Sequence, residues 1–307
     1  MTLMTSKPTV AVLGPGGIGG LLAALLSRSG HRVICLAREA TAHTLRSGGI
    51  EVRSRQFGDF TAAVEASTEL REPVDACLIT VKQTALDTAL TRVPPAVLGD
   101  ALVVPLLNGV EHPATLRARY RPDRVVPGVI RVESTRLAYS GTGPVVIEHG
   151  SPFAEIDLAA GTAPRSHVET LAAALSAAGA TARVTEDETT ALWAKMAFLA
   201  PFALLTTRYG APLGDIRTRH HEELESLVAE TAAVSRACGA PVDPAQALAR
   251  YDAFPADAKS SMQRDAEAGR PLELDAIGGA LLRAADRHGV LVPVTARLVR
   301  ELRAAGH

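Results

Sequence analysis

Apolar positions along this 307-residue chain fall into two textures. Up to about residue 186 they form short continuous runs broken by Gly, Pro and polar clusters; beyond it they recur at helical spacing. The first run, residues 10–13, breaks at Gly14-Pro15-Gly16-Gly17, resumes as a Leu/Ala-rich helix, and stops at Ser29-Gly30. A second strand is predicted over 31–38, and the irregular stretch 45–66 reads as strands with turns at Gly48-Gly49 and Gly58. Residues 74–81 and 101–107 are nearly uninterrupted apolar runs, as expected of central parallel strands covered on both faces. A helix over 84–90, strands over 124–132, 143–148 and 154–159, a helix over 166–178 and a strand over 182–185 complete this half.

The second texture predicts helices over 187–208, 219–238, 244–253, 256–268, 274–288 and 294–305, with Gly239 and Gly289 as stops and Pro293 opening the last. A βα-rich half followed by an all-helical half implies an α/β chain of two domains. An N-terminal Rossmann-type, doubly wound sheet spans 1–186, and an all-helical C-terminal domain spans 187–307.

With 47% hydrophobic and 21% charged residues, the chain reads as globular rather than disordered. Lys and Arg number 32 against 33 Asp and Glu, so no global field favours nucleic acid or an anionic membrane; any anion site is local. The three cysteines, Cys35, Cys77 and Cys238, are too few and too scattered for a disulfide framework or a metal site. The N-terminal residues are polar, with no apolar signal region. The apolar segment 192–205 carries Lys195 and is short for a bilayer. These features predict a reducing, cytoplasmic setting. No face of the Ala-rich helices is singled out for a dimer, so a homodimer stays open.

Gly14, Gly16 and Gly19 stand in G-x-G-x-x-G register between a strand and a helix, the context in which the motif carries meaning. The first glycine permits a tight turn, the second lets a pyrophosphate approach the backbone, and the third lets helix pack on strand. Uncommitted N–H groups at the helix start favour the phosphate charge. An NAD-type site places an acidic residue at the end of the second strand, about 20 residues on. Here that strand ends in Ala37-Arg38. A guanidinium grips a 2′-phosphate and a carboxylate repels it, so the expected cofactor is NADPH; a solvated strand-end charge is the plainer reading of Arg38, and the adjacent Glu39 counts against a phosphate.

Lys82 and Asn108 end the runs at 74–81 and 101–107, where doubly wound sheets bind ligands; a surface lysine and a turn-forming Asn-Gly are the plainer readings. In the helical half, Lys195 lies in a segment apolar on nearly every face, so it must pair, reach a cleft or titrate down. Pro201 should kink that helix. A second polar cluster holds Ser260-Ser261-Met262 and Asp265, followed by Glu273 and Asp275, which taken alone suit solvated positions and a first helical turn.

The ordered set of G-x-G-x-x-G, the strand-end Arg38, Val81-Lys82, Asn108-Gly109, Leu192-Trp193-Ala194-Lys195, Ser260-Ser261-Met262 and Glu273-x-Asp275 resembles the ketopantoate reductase (2-dehydropantoate 2-reductase) family across nearly the whole chain. The resemblance implies Lys195 as general acid, with Glu273 orienting it, and Ser261 bonding the substrate carboxylate. Asn108 and Lys82 would line the site near nicotinamide and substrate. The implied cofactor set is Gly14, Gly16, Gly17, Ile18, Gly19, Arg38, Lys82, Asn108 and Glu273, with no metal. The implied reaction is NADPH-dependent reduction of a small 2-oxo acid, by default ketopantoate, in pantothenate biosynthesis, under two domains that close over the cleft.

One departure bears on substrate. Family members that reduce ketopantoate typically carry Asn one and two turns beyond the catalytic Lys; here those substrate-facing positions are Leu199 and Ala203. The chain therefore also suits a reductase of a more apolar 2-oxo acid or ketone. A reading of another class, an NADP-binding sensor without turnover, would keep the glycine loop and Arg38 but have no need of Lys195.

Overall fold

A computed structural model describes residues 7–138 and 143–306; positions 1–6 of the polar N-terminal stretch lie outside the described residues. The chain divides into two compact units. One runs to Leu107 and resumes over His112–Glu188; the other joins Asn108–Glu111 to the chain from Thr189 onward.

The first unit is built on a parallel sheet. Its strands are β1 (Val10–Leu13), β2 (Val33–Leu36), β5 (Glu65–Ser67), β6 (Ala76–Ile79) and β7 (Leu102–Pro105), in the order β5-β2-β1-β6-β7. Between them lie α1 (Gly17–Arg28), α2 (Glu39–Gly48), the antiparallel pair β3 (Ile50–Ser54) and β4 (Phe60–Ala62), and the short helices α3 (Leu86–Leu90) and α4 (Pro95–Leu98). Every residue of β1, β2, β6 and β7 is buried, because the two-residue pleat sends alternate side chains into different cores. Val10, Val12, Ala76 and Leu78 pack with α1, whereas Ala11, Leu13, Cys77 and Ile79 pack with Leu86, Leu90 and Leu116 on the other side. This is the physical meaning of the uninterrupted apolar runs.

The rest of the unit comprises α5 (His112–Arg119), β8 (Gly128–Arg131), β9 (Ser134–Arg136), β10 (Val145–His149), β11 (Glu155–Ala159), α6 (Arg165–Ala177) and β12 (Thr181–Thr185). Two further sheets form, β4-β3-β10-β9 and β12-β11-β8. The second unit carries α7 (Glu188–Tyr209), α8 (Leu213–Arg219), α9 (His221–Ala237), α10 (Pro244–Ala253), α11 (Ser261–Glu267), a π-helical turn (Asp275–Gly279), α12 (Ala280–His288) and α13 (Pro293–Ala304).

Several expectations change. The stretch from residue 45 opens inside helix α2, whose buried residues are Ala42, Thr44 and Leu45; two apolar positions among them gave too little periodicity to reveal it. Gly49 ends it at φ +68°, and a side chain there would sit 2.4 Å from the Ala62 carbonyl. The strand expected over 124–132 shortens to β8, preceded by a 3₁₀ turn at Pro122–Arg124. The helix expected over 256–268 is only α11, because Ala256 and Ala258 give their carbonyls to the amides of Gly214 and Leu213 at 2.8 and 3.0 Å. Those carbonyls meet the first two amides of α8, and the segment itself keeps only a single turn at 256–257. The helix expected over 274–288 begins as the π turn.

Helix α7 continues through Pro201. At 22 residues and mean hydropathy 1.3 it has the length and composition of a membrane-crossing helix, more than the segment 192–205 suggested, yet 61% of that window is buried inside the protein. Its buried residues share one hydrophobic cluster with Leu213, Leu227, Tyr251 and Leu298.

Candidate functional site

In the first unit the glycine loop joins β1 to α1. Gly14 takes φ +85°, and a Cβ there would meet Val81 Cγ1 at 2.4 Å, so both backbone shape and space require glycine. At Gly19 a Cβ would meet Thr80 Oγ1 at 2.2 Å and the Gly14 carbonyl at 2.5 Å, which is the close approach of helix to strand. Gly17 faces the Ser134 carbonyl, 2.1 Å from where its Cβ would be. Gly16 differs: its Cβ would meet nothing closer than the Gly14 carbonyl at 3.9 Å. Three glycines are demanded by the protein itself, while the open space is at the one whose smallness serves an incoming group.

Gly16 is also the N-cap of α1, with no side-chain cap and no acidic residue in the first turn. The first-turn amides of Gly17, Ile18 and Gly19 thus meet no side-chain competitor at the positive end of the helix. The loop has the room and the donors that a pyrophosphate needs.

Two side chains missed in the sequence hold this loop. Thr80 Oγ1 lies 3.0 and 2.8 Å from the carbonyls of Leu13 and Gly14, and Ser134 Oγ donates to the Gly17 carbonyl at 2.8 Å. Thr80 could have been found as the polar residue ending a buried run directly before Val81-Lys82. Ser134 had no local signal.

Arg38 is the exposed N-cap residue of α2, directly after β2, and among the described residues its guanidinium makes no ion pair. Its acidic neighbour Glu39 is drawn to Arg46 at 2.6 Å. The carboxylate next to Arg38 is therefore paired along its own helix. Lys82, exposed, caps the 3₁₀ turn Gln83–Ala85 that follows β6.

In the second unit, α7 carries Lys195 and Leu199, both half-buried, and Ala203, which is fully buried in the helical core. Asn108, expected at the sheet edge, belongs instead to this unit. Its Nδ2 donates to Glu273 Oε2 at 3.1 Å. Gly109, at φ +93°, lies so close to the π turn that a Cβ would be 2.6 Å from the Ala276 carbonyl. Arg283 then bridges Glu111 and Asp275 at 2.6 and 3.0 Å. Four residues encoded after a sheet strand are thus fastened at three points to the segment that begins with Glu273. Nothing in their local pattern announces this.

Glu273 is only 6% exposed, and the amide of Ile277 bonds its carbonyl at 3.1 Å. A carboxylate so buried is stable only with donors or a cation around it. Ser261 is exposed and is the first residue of α11, whose N-cap Ser260 is 1% exposed. The structure thus brings Asn108, Glu273, Lys195, Leu199 and Ser261 into one compact unit, and the glycine loop, Arg38 and Lys82 into the other.

Comparison with known proteins gives the family and the fold. The family model for ketopantoate reductase PanE/ApbA matches residues 10–158, and that for its C-terminal part matches 187–306. A 2-dehydropantoate 2-reductase of Caulobacter vibrioides is 32% identical over 305 residues, covering 97% of this chain and 99% of that one. The crystal structure of a PanE/ApbA family ketopantoate reductase from Ralstonia eutropha superposes with TM-score 0.85 at 29% identity, covering 96% and 97%. A D-mandelate dehydrogenase solved with NADH and anilino(oxo)acetate shares the fold at TM-score 0.86 and 19% identity, covering 96% and 97%. With both halves matched and relatives aligned end to end, this chain belongs to the ketopantoate reductase family, NADPH-dependent oxidoreductases that reduce 2-oxo acids to 2-hydroxy acids.

Proposed function

We propose that this chain reduces 2-dehydropantoate to pantoate with NADPH, Lys195 serving as the general acid. The observation that carries the reading is the buried Glu273 carboxylate held by Asn108 in the unit that also carries Lys195 on α7. On this reading the lysine of the apolar helix α7 serves as an ammonium oriented by the buried carboxylate of the same unit. It attracts the substrate's carbonyl oxygen, stabilises the negative charge that grows there, and gives up its proton from Nζ.

Gly14, Gly16, Gly17, Ile18 and Gly19 would hold the cofactor's pyrophosphate, Arg38 its 2′-phosphate, and Lys82, Asn108 and Glu273 its nicotinamide end. When bound, the nicotinamide supplies the hydride. Glu273 fixes the direction in which the Lys195 ammonium points, and the Ser261 hydroxyl donates to the substrate carboxylate. The protein's part is orientation and proton supply, a contribution of about 10²–10⁴-fold for a well-placed acid.

A second reading rests on α7. Where family members that reduce ketopantoate typically present Asn, this chain has half-buried Leu199 and fully buried Ala203. A site lacking those amides favours a branched, apolar 2-oxo acid, since sites built to bond a hydroxyl discriminate against analogues by about 10⁴–10⁵-fold and apolar ones do not. Steady-state rates with ketopantoate against a panel of branched apolar 2-oxo acids separate the two. A ketopantoate kcat/KM above about 10⁴ M⁻¹s⁻¹ supports the first reading. A lower value, exceeded by an apolar acid, supports the second.

A further inference from the structure

The mechanism leaves unused a fully buried pair of hydroxyls in the helical unit. Thr206 on α7 is 0% exposed and Ser260, the N-cap of α11, is 1% exposed; their oxygens lie 2.8 Å apart. Thr206 Oγ1 is also 2.7 Å from the Phe202 carbonyl, and the amide of Gln263 donates to Ser260 Oγ at 3.0 Å. A carbonyl only accepts, so the Thr206 hydrogen goes to Phe202, and the Ser260 hydrogen goes to Thr206. Each hydroxyl then donates once and accepts once, and the chain of bonds runs from the first turn of α11 into the backbone of α7.

The placement gives this pair a purpose beyond stability. Thr206 follows Lys195 by about three helical turns and so shares its face of α7. Ser260 directly precedes Ser261, and its side chain closes the turn on which Ser261 stands. Helix α11 has only seven residues and little apolar surface of its own, so a buried polar contact at its start fixes its position. Threonine at 206 is not explained by core packing alone, because valine has the same shape without a polar group to satisfy.

We infer that the Thr206–Ser260 pair is a positioning device for the oxo acid, locking the Lys195 face of α7 to the start of α11 so that Ser261 meets the substrate carboxylate. The inference rests on the proposed reduction of a 2-oxo acid, with Ser261 at its carboxylate. Neither residue touches substrate; both act through Ser261.

The test compares purified wild type, Thr206→Val, Thr206→Ser and Ser260→Gly, each assayed with NADPH and the 2-oxo acid the wild type reduces fastest. Thr206→Val should raise the KM for the oxo acid about tenfold, the loss of about one oriented hydrogen bond, with the KM for NADPH changed less than about twofold. Thr206→Ser should return the oxo-acid KM to within about twofold of wild type, because it restores the hydroxyl. Ser260→Gly, glycine being well tolerated at an N-cap, should repeat the Thr206→Val effect and decides the matter where Thr206→Val does not fold. A lowered melting temperature with the oxo-acid KM unmoved in the folded variants would make the pair purely structural and overturn the inference. Absence of turnover by the wild type with every 2-oxo acid would instead overturn the proposed function, and the inference with it.

Discussion

Asn108 and Glu273, 165 residues apart in sequence, are joined by a 3.1 Å hydrogen bond from Nδ2 to Oε2. The donor follows a strand of the sheet; the acceptor lies two residues before the π turn that leads into α12. Asn108→Ala leaves the Glu273 carboxylate short of a donor, and Glu273→Gln removes the charge proposed to orient Lys195. Each should lower kcat with the fold retained. If the two act through one contact, the double variant should lose less than the product of the single losses. Fully multiplicative losses in kcat would show that they act separately.

The glycine loop separates two kinds of requirement. Gly19→Ala would drive a Cβ into Thr80 and the Gly14 carbonyl, and should cost about 1–3 kcal/mol of stability as an overpacked contact. Gly16→Ala meets only open space and should unfold at nearly the wild-type temperature while binding NADPH poorly. Thermal unfolding and NADPH titration of both variants check this; tight NADPH binding by Gly16→Ala would contradict the cradle.

Arg38 should set the choice of dinucleotide. Since Glu39 is occupied by Arg46, the guanidinium is available to a 2′-phosphate. Arg38→Ala should weaken NADPH and leave NADH nearly unchanged, bringing the two dissociation constants together. An unaltered ratio would place the selectivity elsewhere.

Burial pushes the Cys35 and Cys77 thiols from an ordinary value of 9.0 up to about 12. Unfolding frees both thiols to ionise near their ordinary value, so they make no pH-dependent demand below pH 9. Between pH 9 and 12 the unfolded state gains by losing protons and stability should fall. Native alkylation at pH 8 should reach partly exposed Cys238 and spare the other two. Equal labelling of all three would contradict the packing of β2 and β6.

How much of this was visible in the sequence varies by element. Uninterrupted runs such as 74–81 revealed central strands because burial on both faces leaves no polar position. The glycine loop was legible because backbone geometry dictates residue type at Gly14 and Gly19. Helix α2 was not, since only Ala42 and Leu45 of its three buried residues are apolar. The attachment of Asn108–Glu111 to the helical unit was invisible because it depends on Glu273, Ala276 and Arg283, none of them local. The early end of the helix expected from 256 likewise depends on α8 drawing two carbonyls away. Lys195 stood out by contrast with its apolar neighbours; Thr206, a polar residue of similar shape to valine, did not.

In the proposed reaction Lys195 protonates the substrate carbonyl, and substitution of this lysine by alanine removes the proton donor. Pre-steady-state NADPH oxidation with saturating 2-oxo acid should slow by about 10²–10⁴-fold in Lys195→Ala, with NADPH affinity retained. Oxidation at the wild-type rate by that variant would contradict the assignment.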